Sequence, residues 1–412
     1  MARAGTVDPL ESTYLDGRYL VEAKIASGGT STVYRGVDVR LDRPVALKVM
    51  DARYAGDQQF LTRFQLEART VARLKHPGLI AVYDQGLDGR HPFLVMELVE
   101  GGTLRELLTE RGPMPPHAVA AVLRPVLGGL AAAHRAGLVH RDVKPENVLI
   151  SDDGEVKIAD FGLVRAVAAA GSTSASVILG TAAYLSPEQV RDGSAGLRSD
   201  VYSVGILTYE LLTGRTPFTG DTPLSLAYQR LDHDVPRASA LIDGVPLEFD
   251  EMVARATARD PADRYADAIE MGADLEEISE ELALPDFRVP APRNSAQHRS
   301  AQLHHSRMAA RRDSPPPPPP PDQAPVDSTR HLTRGPEDWS EPVRPAEPEL
   351  GPGDYEFDPL SGKFGGIALS EFIWVRQHSR RMVLIWVAIV VALTGLVATA
   401  AWTIGSNLNG LL

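Results

Sequence analysis

The sequence predicts an α+β protein that begins with strands and continues mainly with helices. Strand-like runs lie between residues 19 and 48, where apolar stretches are bounded by turn residues. Helical signals follow, with a capping box that begins at Thr103 and a periodic run from Asp200 to Leu212 that ends before a glycine. After residue 285 the composition changes sharply, which indicates that the folded part of the chain ends near there.

The chain has 412 residues, more than one domain usually contains. We expect a small β-rich lobe and a larger α-helical lobe, followed by a disordered linker and one transmembrane helix. The predicted segments are an amino-terminal extension (1–18), the two-lobed domain (19–280), a Pro-rich juxtamembrane linker (281–381), the transmembrane helix (382–405) and a short tail (406–412).

The linker is predicted from its composition alone. From Pro285 onward His, Ser, Arg and Pro predominate, and an unbroken proline run extends from Pro315 to Pro321. Such a run is typical of an extended spacer, and a ligand for an SH3-type domain is the alternative.

The transmembrane helix is predicted from residues 383–402, which are apolar or small and carry no charge. A helix of this length rises about 30 Å, the thickness of the hydrocarbon core of a bilayer. A buried core helix is the alternative, but no core would remain for it after a disordered linker. Because Arg376, Arg380 and Arg381 precede the run, we expect a cytoplasmic domain, a tail outside the plasma membrane and the lipid bilayer as a partner. No amino-terminal signal peptide is evident.

Charge and cysteine content exclude several function classes. The formal net charge of −12 argues against direct binding of nucleic acid through bulk electrostatics. The sequence contains no cysteine, so disulfides, thiolate metal sites and thiol switches are excluded.

The strongest functional signal is the spacing of three oxygen-bearing side chains. Asp142 and Asn147 lie in the run His-Arg-Asp-Val-Lys-Pro-Glu-Asn, and Asp160 follows a predicted hairpin and begins the triplet Asp-Phe-Gly. An acid can orient a hydroxyl group, and hard oxygen donors suit Mg²⁺ or Mn²⁺. These groups suit phosphoryl transfer to a hydroxyl, and their intervals resemble those of the protein kinases, which implies ATP as the phosphate donor.

Further motifs lie in the expected order along the chain. An apolar strand ends at Lys48, Glu67 lies in a segment with helical spacing, a Ser-Pro-Glu triplet ends at Glu188, and Asp200 begins Asp-Val-Tyr-Ser-Val-Gly. Together these motifs resemble those of the protein kinases over about residues 19–280, and in particular those of the actinobacterial membrane serine/threonine kinases.

This resemblance implies the two-lobed protein kinase fold and a role for each catalytic motif. Asp142 would accept the substrate hydroxyl proton, Lys144 would contact the γ-phosphate, and Asn147 and Asp160 would hold the metal ion. Lys48 would reach the α- and β-phosphates and pair with Glu67. For an isolated glutamate, a solvated helix face is the alternative interpretation.

The same resemblance implies two structural contacts in the second lobe. Asp200 would hold the backbone of the loop that carries Asp142, and Arg264 would be the buried partner of Glu188.

The resemblance also implies where ATP would bind. The phosphate loop departs from the family pattern, because Ala26 and Ser31 replace two of its three glycines. Met96 would gate the pocket behind adenine, and backbone groups of Glu97 and Val99 would meet the base. The expected nucleotide-binding residues are Ala26, Ser27, Gly28, Gly29, Val33, Ala46, Lys48, Glu67, Met96, Glu97 and Val99.

Regulation is expected to depend on the segment after Asp160, which is rich in Ala, Ser, Gly and Thr. The first choice for autophosphorylation is Thr173, whose phosphate would pair with Arg141. Ser172, Ser174 and Ser176 remain alternatives, whereas Thr181 is expected to make a structural contact with Asp142 and Lys144. The implied partners are proteins with Ser or Thr acceptors and a second copy of the chain, in a dimer formed by the small lobes.

Two other classes remain open. Because Ala26 and Ser31 depart from the pattern, one is a catalytically inactive kinase that acts as a membrane-anchored scaffold. The other is a small-molecule phosphotransferase with the same fold, against which Lys144 and the Ser-Pro-Glu triplet favour a protein substrate.

Overall fold

The structure is a computed structural model, and it describes residues 8–161, 182–220 and 222–313 together with 363–364 and 367–368. The chain divides into two units, Met1–Pro319 and Pro320–Leu412. The predicted phosphorylation site Thr173 and the predicted transmembrane run 383–402 lie outside the described residues.

The first lobe is built on a six-stranded antiparallel sheet with the order β1-β2-β3-β4-β6-β5. Gly36 in β3 is required by close packing, because a Cβ atom there would lie 2.5 Å from the carbonyl oxygen of Leu20. The strands of this sheet are β1 Tyr14–Leu15, β2 Tyr19–Ser27, β3 Ser31–Asp38, β4 Arg43–Met50, β5 Val82–Asp88 and β6 His91–Met96.

One helix, α1 (Gln58–Val71), packs on this sheet. Asp57 caps its amino terminus, because the Asp57 carboxylate accepts a hydrogen bond of 3.0 Å from the Phe60 N–H. Its buried side chains recur at helical spacing, as the sequence predicted, and they are Phe60, Leu61, Phe64, Ala68 and Val71.

The second lobe is helical and surrounds α3, which is almost fully buried along one side and packs against α5 and α8. Its helices are α2 Leu104–Arg111, α3 Pro116–Arg135, α4 Pro187–Arg191, α5 Leu197–Thr213, α6 Pro223–Asp232, α7 Leu247–Ala256 and α8 Ala268–Glu281. Within the described part of the chain, α3 is the one helix whose length and apolar composition would suit a membrane span, and most of it is buried in this core.

A small three-stranded sheet with the order β7-β8-β9 lies between the lobes. Its strands are β7 Gly101–Thr103, β8 Val148–Ser151 and β9 Val156–Ile158. Asn147 directly precedes β8 and Asp160 follows β9, so the pairing of these two strands brings the two residues together. The predicted hairpin therefore sets their separation.

The prediction of a disordered linker from residue 281 is wrong for its first part. Residues 285–313, which we call the strap, continue from α8 and end in helix α9 (Ala296–Asp313), which packs on β2 and β7. Buried Val289, Pro292 and Ser295 anchor the strap. The sequence offered little indication of this contact, because the buried side chains in the described part of α9, Gln297 and Ser300, are polar and form no apolar stripe.

In the second unit, the structure describes two short strands, β10 Lys363–Phe364 and β11 Ile367–Ala368. They pair in antiparallel register.

Candidate active site

The loop that carries Asp142 is fixed by the buried carboxylate of Asp200 at the beginning of α5. The backbone N–H groups of His140 and Arg141 each donate to this carboxylate at 2.7 Å, and His134 Nε2 lies 2.9 Å from it. Arg141 has φ +69°, a conformation that non-glycine residues rarely adopt, so the loop needs such a restraint. The expectation that Asp200 holds this loop is confirmed.

Asp142 lies among polar groups that occupy only one of its two oxygens. Its Oδ2 accepts hydrogen bonds from Lys144 Nζ at 2.8 Å and from Asn147 Nδ2 at 3.1 Å. Asn147 Nδ2 also donates to the Asp142 carbonyl oxygen at 2.8 Å, which fixes the amide. The other oxygen, Asp142 Oδ1, is buried without a partner. A buried carboxylate oxygen without a donor is costly, so this atom is suited to accept a hydrogen bond from a hydroxyl group.

Asp160 forms an ion pair with Lys48, whose ammonium lies 2.8 Å from Asp160 Oδ1 and is almost fully buried. Enclosure by protein favours the neutral acid, but the charge and hydrogen bond of Lys48 outweigh it and hold the pKa of Asp160 below its usual value. Asp160 also has a positive φ of +64°. The next residue, Phe161, is packed against His140 with ring centroids 4.5 Å apart.

The structure contradicts the expected ion pair between Lys48 and Glu67. Lys48 is occupied by Asp160, and Glu67 Oε2 is buried without a hydrogen-bond partner. Burial raises the pKa of Glu67, and the charges of Arg141 and Arg63 oppose that shift. The physical reason for the difference is competition, because the buried ammonium of Lys48 is already neutralised by a closer carboxylate.

A cleft between the lobes brings together many of the predicted nucleotide-binding residues. Its lining includes Asp160 and six of the predicted nucleotide-binding residues, which are Ala26, Val33, Ala46, Met96, Glu97 and Val99. The Val99 N–H has no hydrogen-bond partner in the described part of the chain, which leaves it available to a ligand. The Glu97 carboxylate accepts from Lys157 Nζ at 2.6 Å, and the Glu97 N–H donates to the Ala81 carbonyl at 2.8 Å, so the Glu97 carbonyl oxygen is the group left for a ligand.

The glycine-rich turn was predicted to line this cleft, but it does not. Ser27 and Gly28 face a separate concavity near Met50, and the Gly28 N–H donates to the Ser31 carbonyl at 2.8 Å to close the hairpin. The Gly29 carbonyl accepts a hydrogen bond from the Arg53 guanidinium. Because this side-chain contact lies far along the chain, the hairpin sequence gave no sign of it.

The segment that follows the undescribed residues is anchored by Glu188. Arg264 donates to both carboxylate oxygens of Glu188 at 3.0 Å, and it is 3% exposed. Burial would raise the pKa of Glu188, but the Arg264 guanidinium and the Ser199 hydroxyl hold it below the usual value. The expected pairing of Glu188 with Arg264 is confirmed.

Sequence reasoning missed the group of polar side chains around Arg105. Its guanidinium donates to Glu146 at 2.8 Å, to Glu210 at 2.6 Å and to the Tyr184 hydroxyl at 2.6 Å. These contacts join α2, the loop of Asp142, α5 and the segment before Glu188 in a single network. The residues come from four distant parts of the sequence, so no local motif could have indicated them.

The donors near Asp160 fit a hard divalent cation. The Ala159 N–H donates to the Asn147 carbonyl at 2.8 Å, which places Asn147 beside the backbone that leads into Asp160. A carboxylate and a side-chain amide suit Mg²⁺ or Mn²⁺, which usually keep water and phosphate oxygens as further ligands. Among the described residues, no group of three or more His, Cys, Asp or Glu could hold a metal ion by itself.

Comparisons with known proteins agree with this site. The sequence matches the protein kinase domain family over residues 19–272. Serine/threonine-protein kinase PknL of Mycobacterium bovis is 75% identical over 413 residues, which cover 100% of both chains. PknB of Mycobacterium leprae is 44% identical over 267 residues, 64% of this chain and 43% of that protein.

A solved structure supports the same conclusion about the fold. The kinase domain of Mycobacterium tuberculosis PknI superimposes with a TM-score of 0.53 at 27% sequence identity, over 66% of this chain and 99% of that one. Given the family match over both lobes, the full-length relative and the described geometry, the chain belongs to the protein kinase family and is a serine/threonine protein kinase.

Proposed function

We propose that this kinase is anchored in the plasma membrane, transfers the γ-phosphate of ATP to Ser and Thr hydroxyls of cytoplasmic proteins, and is activated by autophosphorylation of Thr173. The observation that carries the catalytic part is the environment of Asp142. One of its oxygens is held by Lys144 and Asn147, and the other is buried and unpaired at the position where a hydroxyl would arrive.

The side chains divide the reaction among themselves. Asp142 Oδ1 orients the acceptor hydroxyl and accepts its proton, and Lys144, beside the other oxygen, neutralises charge on the transferred phosphoryl group. Asn147 and Asp160 would hold Mg²⁺ or Mn²⁺, which neutralises the phosphates when it is bound. Lys48 positions the α- and β-phosphates.

Activation requires a rearrangement of the pairs seen here. In the proposed active state, Asp160 turns to the metal and Lys48 pairs with Glu67. Arg141 lies close enough to Glu67 to affect its pKa, and a phosphate on Thr173 would compete for Arg141. Glu67 Oε2 has no hydrogen-bond partner, so the new pair requires only that Asp160 release Lys48.

Full-length protein in detergent, given ATP and Mg²⁺ or Mn²⁺, is expected to phosphorylate itself on Ser or Thr. Lys48→Met and Asp142→Asn should each lower the rate at least ~100-fold, because they remove phosphate positioning and hydroxyl orientation. Lys24→Met and Asp243→Asn, at exposed positions, are the matched controls. Full activity of Asp142→Asn would refute the assignment, and a wild-type protein that transfers no phosphate would support the scaffold alternative.

The proposed membrane anchor rests on the sequence of residues 383–402 and on the arginines before it. Because the chain has no cysteine, Asn409→Cys and Ser314→Cys each introduce one reactive thiol, in the tail and in the linker. An impermeant maleimide added to intact cells should label the tail variant only, and broken cells should expose both. Labelling of the linker variant in intact cells would invert the proposed topology.

The proposed partners are protein substrates, the lipid bilayer and a second copy of the chain that phosphorylates it in trans. Support for the dimer comes from the family resemblance alone. A rate of autophosphorylation per molecule that rises with protein concentration would support reaction in trans, and a constant rate would contradict it.

A further inference from the structure

The strap packs against β7 and contributes Ala296 and Gln297 to the lining of the nucleotide cleft. Its path is fixed by close contacts, because a Cβ atom on Gly102 would lie 2.5 Å from Pro292 Cγ and 2.6 Å from Ser295 Cβ. The Ala296 N–H donates to Glu106 Oε1 at 2.7 Å, and the Arg293 N–H donates to Glu110 Oε2 at 2.8 Å.

Helix α9 is held in place at both of its sides. Ser295 Oγ accepts from the His298 N–H at 2.9 Å and caps the helix. His298 Nε2 lies 3.0 Å from Asp152, and further along His304 Nε2 lies 3.4 Å from Glu22 in β2. The helix therefore connects the loop before β9 with the first lobe.

Gln297 is the side chain that this arrangement places in the cleft. It is 6% exposed, and neither its Oε1 nor its Nε2 atom has a hydrogen-bond partner. It lines the cleft together with Gly102, Thr103 and Glu106. A buried amide without partners costs about 1–3 kcal/mol, so its position beside a ligand cleft calls for a polar ligand group.

We propose that Gln297 is a nucleotide-binding residue that hydrogen-bonds the sugar hydroxyls of ATP and ADP. The inference rests on the proposed ATP site. Lys48 and Asp160 would bind the phosphates, and Ala46 and the Met96–Val99 segment would contact the base. The lining residues that follow this segment, together with Gln297, would then contact the sugar. A side-chain amide has an acceptor oxygen and a donor NH₂ group, which together match two neighbouring hydroxyls. The strap thus completes the nucleotide site from outside the two lobes.

The test measures nucleotide binding by titration calorimetry on the full-length protein in detergent with Mg²⁺. Gln297→Ala should bind ADP about three- to tenfold more weakly than the wild type, the range expected for one or two net hydrogen bonds. Gln302→Ala, at an exposed position of the same helix, is the matched control and should bind as the wild type does.

A second ligand, 2′,3′-dideoxy-ADP, identifies the contacted group. The wild type should bind it more weakly than ADP, whereas Gln297→Ala should show a much smaller difference between the two ligands. This comparison within one protein does not depend on the folded fraction of the variant. Unchanged or tighter ADP binding by Gln297→Ala, or equal discrimination by both proteins, overturns the inference.

The two proposals fail in different ways. A wild-type protein that binds no ADP would refute the ATP site itself. If the wild type, Gln302→Ala and Gln297→Ala all bind ADP equally well, only the role of Gln297 is refuted.

Discussion

Asp200→Asn tests whether a single buried carboxylate holds the active loop in its working conformation. The His134 Nδ1 atom accepts from the Ala268 N–H at 3.2 Å, so Nε2 carries the proton and donates to Asp200 Oδ2. Asp200 therefore accepts three hydrogen bonds, from this ring and from the N–H groups of His140 and Arg141. An asparagine has one acceptor oxygen, and its NH₂ group must face at least one of these donors.

The expected loss of folding stability follows from this mismatch of donors and acceptors. If the asparagine oxygen takes the place of Oδ2, it still accepts from His134 and His140, and the Arg141 N–H is left unpaired. A buried unpaired donor costs about 1–3 kcal/mol, and the lost charge assistance adds to this, so we expect about 2–4 kcal/mol of destabilisation. At about 2 °C per kcal/mol for a large domain, Tm should fall by about 4–8 °C.

Activity should fall further than stability. The freed Arg141 can leave its positive φ, and Asp142, which follows it, loses its orientation. We expect kcat toward a Ser- or Thr-containing peptide to fall at least ~10-fold, while KM for ATP changes little. Thermal unfolding followed by circular dichroism and steady-state kinetics would measure the two effects, with Asp243→Asn as the exposed control. A Tm within about 1 °C of the wild type, or an unchanged kcat, would refute the reasoning.

Three further predictions concern the other buried charges and the activation segment. Glu188→Gln should destabilise the protein by about 3 kcal/mol at pH 7, because it leaves the buried Arg264 charge uncompensated. Because the pKa of Glu188 is lowered in the folded state, this difference should be present above the unfolded pKa and shrink as the pH falls through the folded pKa. Glu67→Gln should raise Tm at pH 7, since burial raises the pKa of Glu67 and ionisation costs folding energy. That gain in Tm should vanish as the pH falls toward 4.5. If Glu67→Gln raises Tm at no pH, the assignment of a buried, unpaired carboxylate is contradicted. Thr173→Ala should lower kcat on an added protein substrate, while ADP binding measured by calorimetry is unchanged. If kcat equals that of the wild type and the variant is phosphorylated elsewhere on the segment, another hydroxyl is the activating site.

Local motifs predicted much of the site because phosphoryl transfer requires particular chemical groups at short sequence intervals. Asp142, Asn147 and Asp160 are joined by one hairpin, whose strands and turn can be recognised in the sequence. The roles of Asp200 and of the Glu188–Arg264 pair were predicted because family motifs include both partners.

Contacts between distant segments were not predictable in this way. Lys48 has two carboxylates within the same site that it could pair with, and only the placement of α1 and of Asp160 decides between them. The turn at Gly28 and Gly29 was predicted to cover the phosphates, but Gly28 lines a different concavity and the Gly29 carbonyl accepts from Arg53.

Periodicity and short motifs predicted an α+β domain and the order of the catalytic side chains, and the family resemblance that these motifs carry implied the two lobes and the phosphoryl-transfer chemistry. The pairing of charges in the site and the packing of residues 285–313 against the lobes depend on contacts between distant segments, so they are visible in the three-dimensional structure alone. The strap docks through backbone N–H groups, small residues and isolated apolar side chains such as Val289, and these contacts depend on matching surfaces that leave no periodic hydrophobic pattern in the sequence.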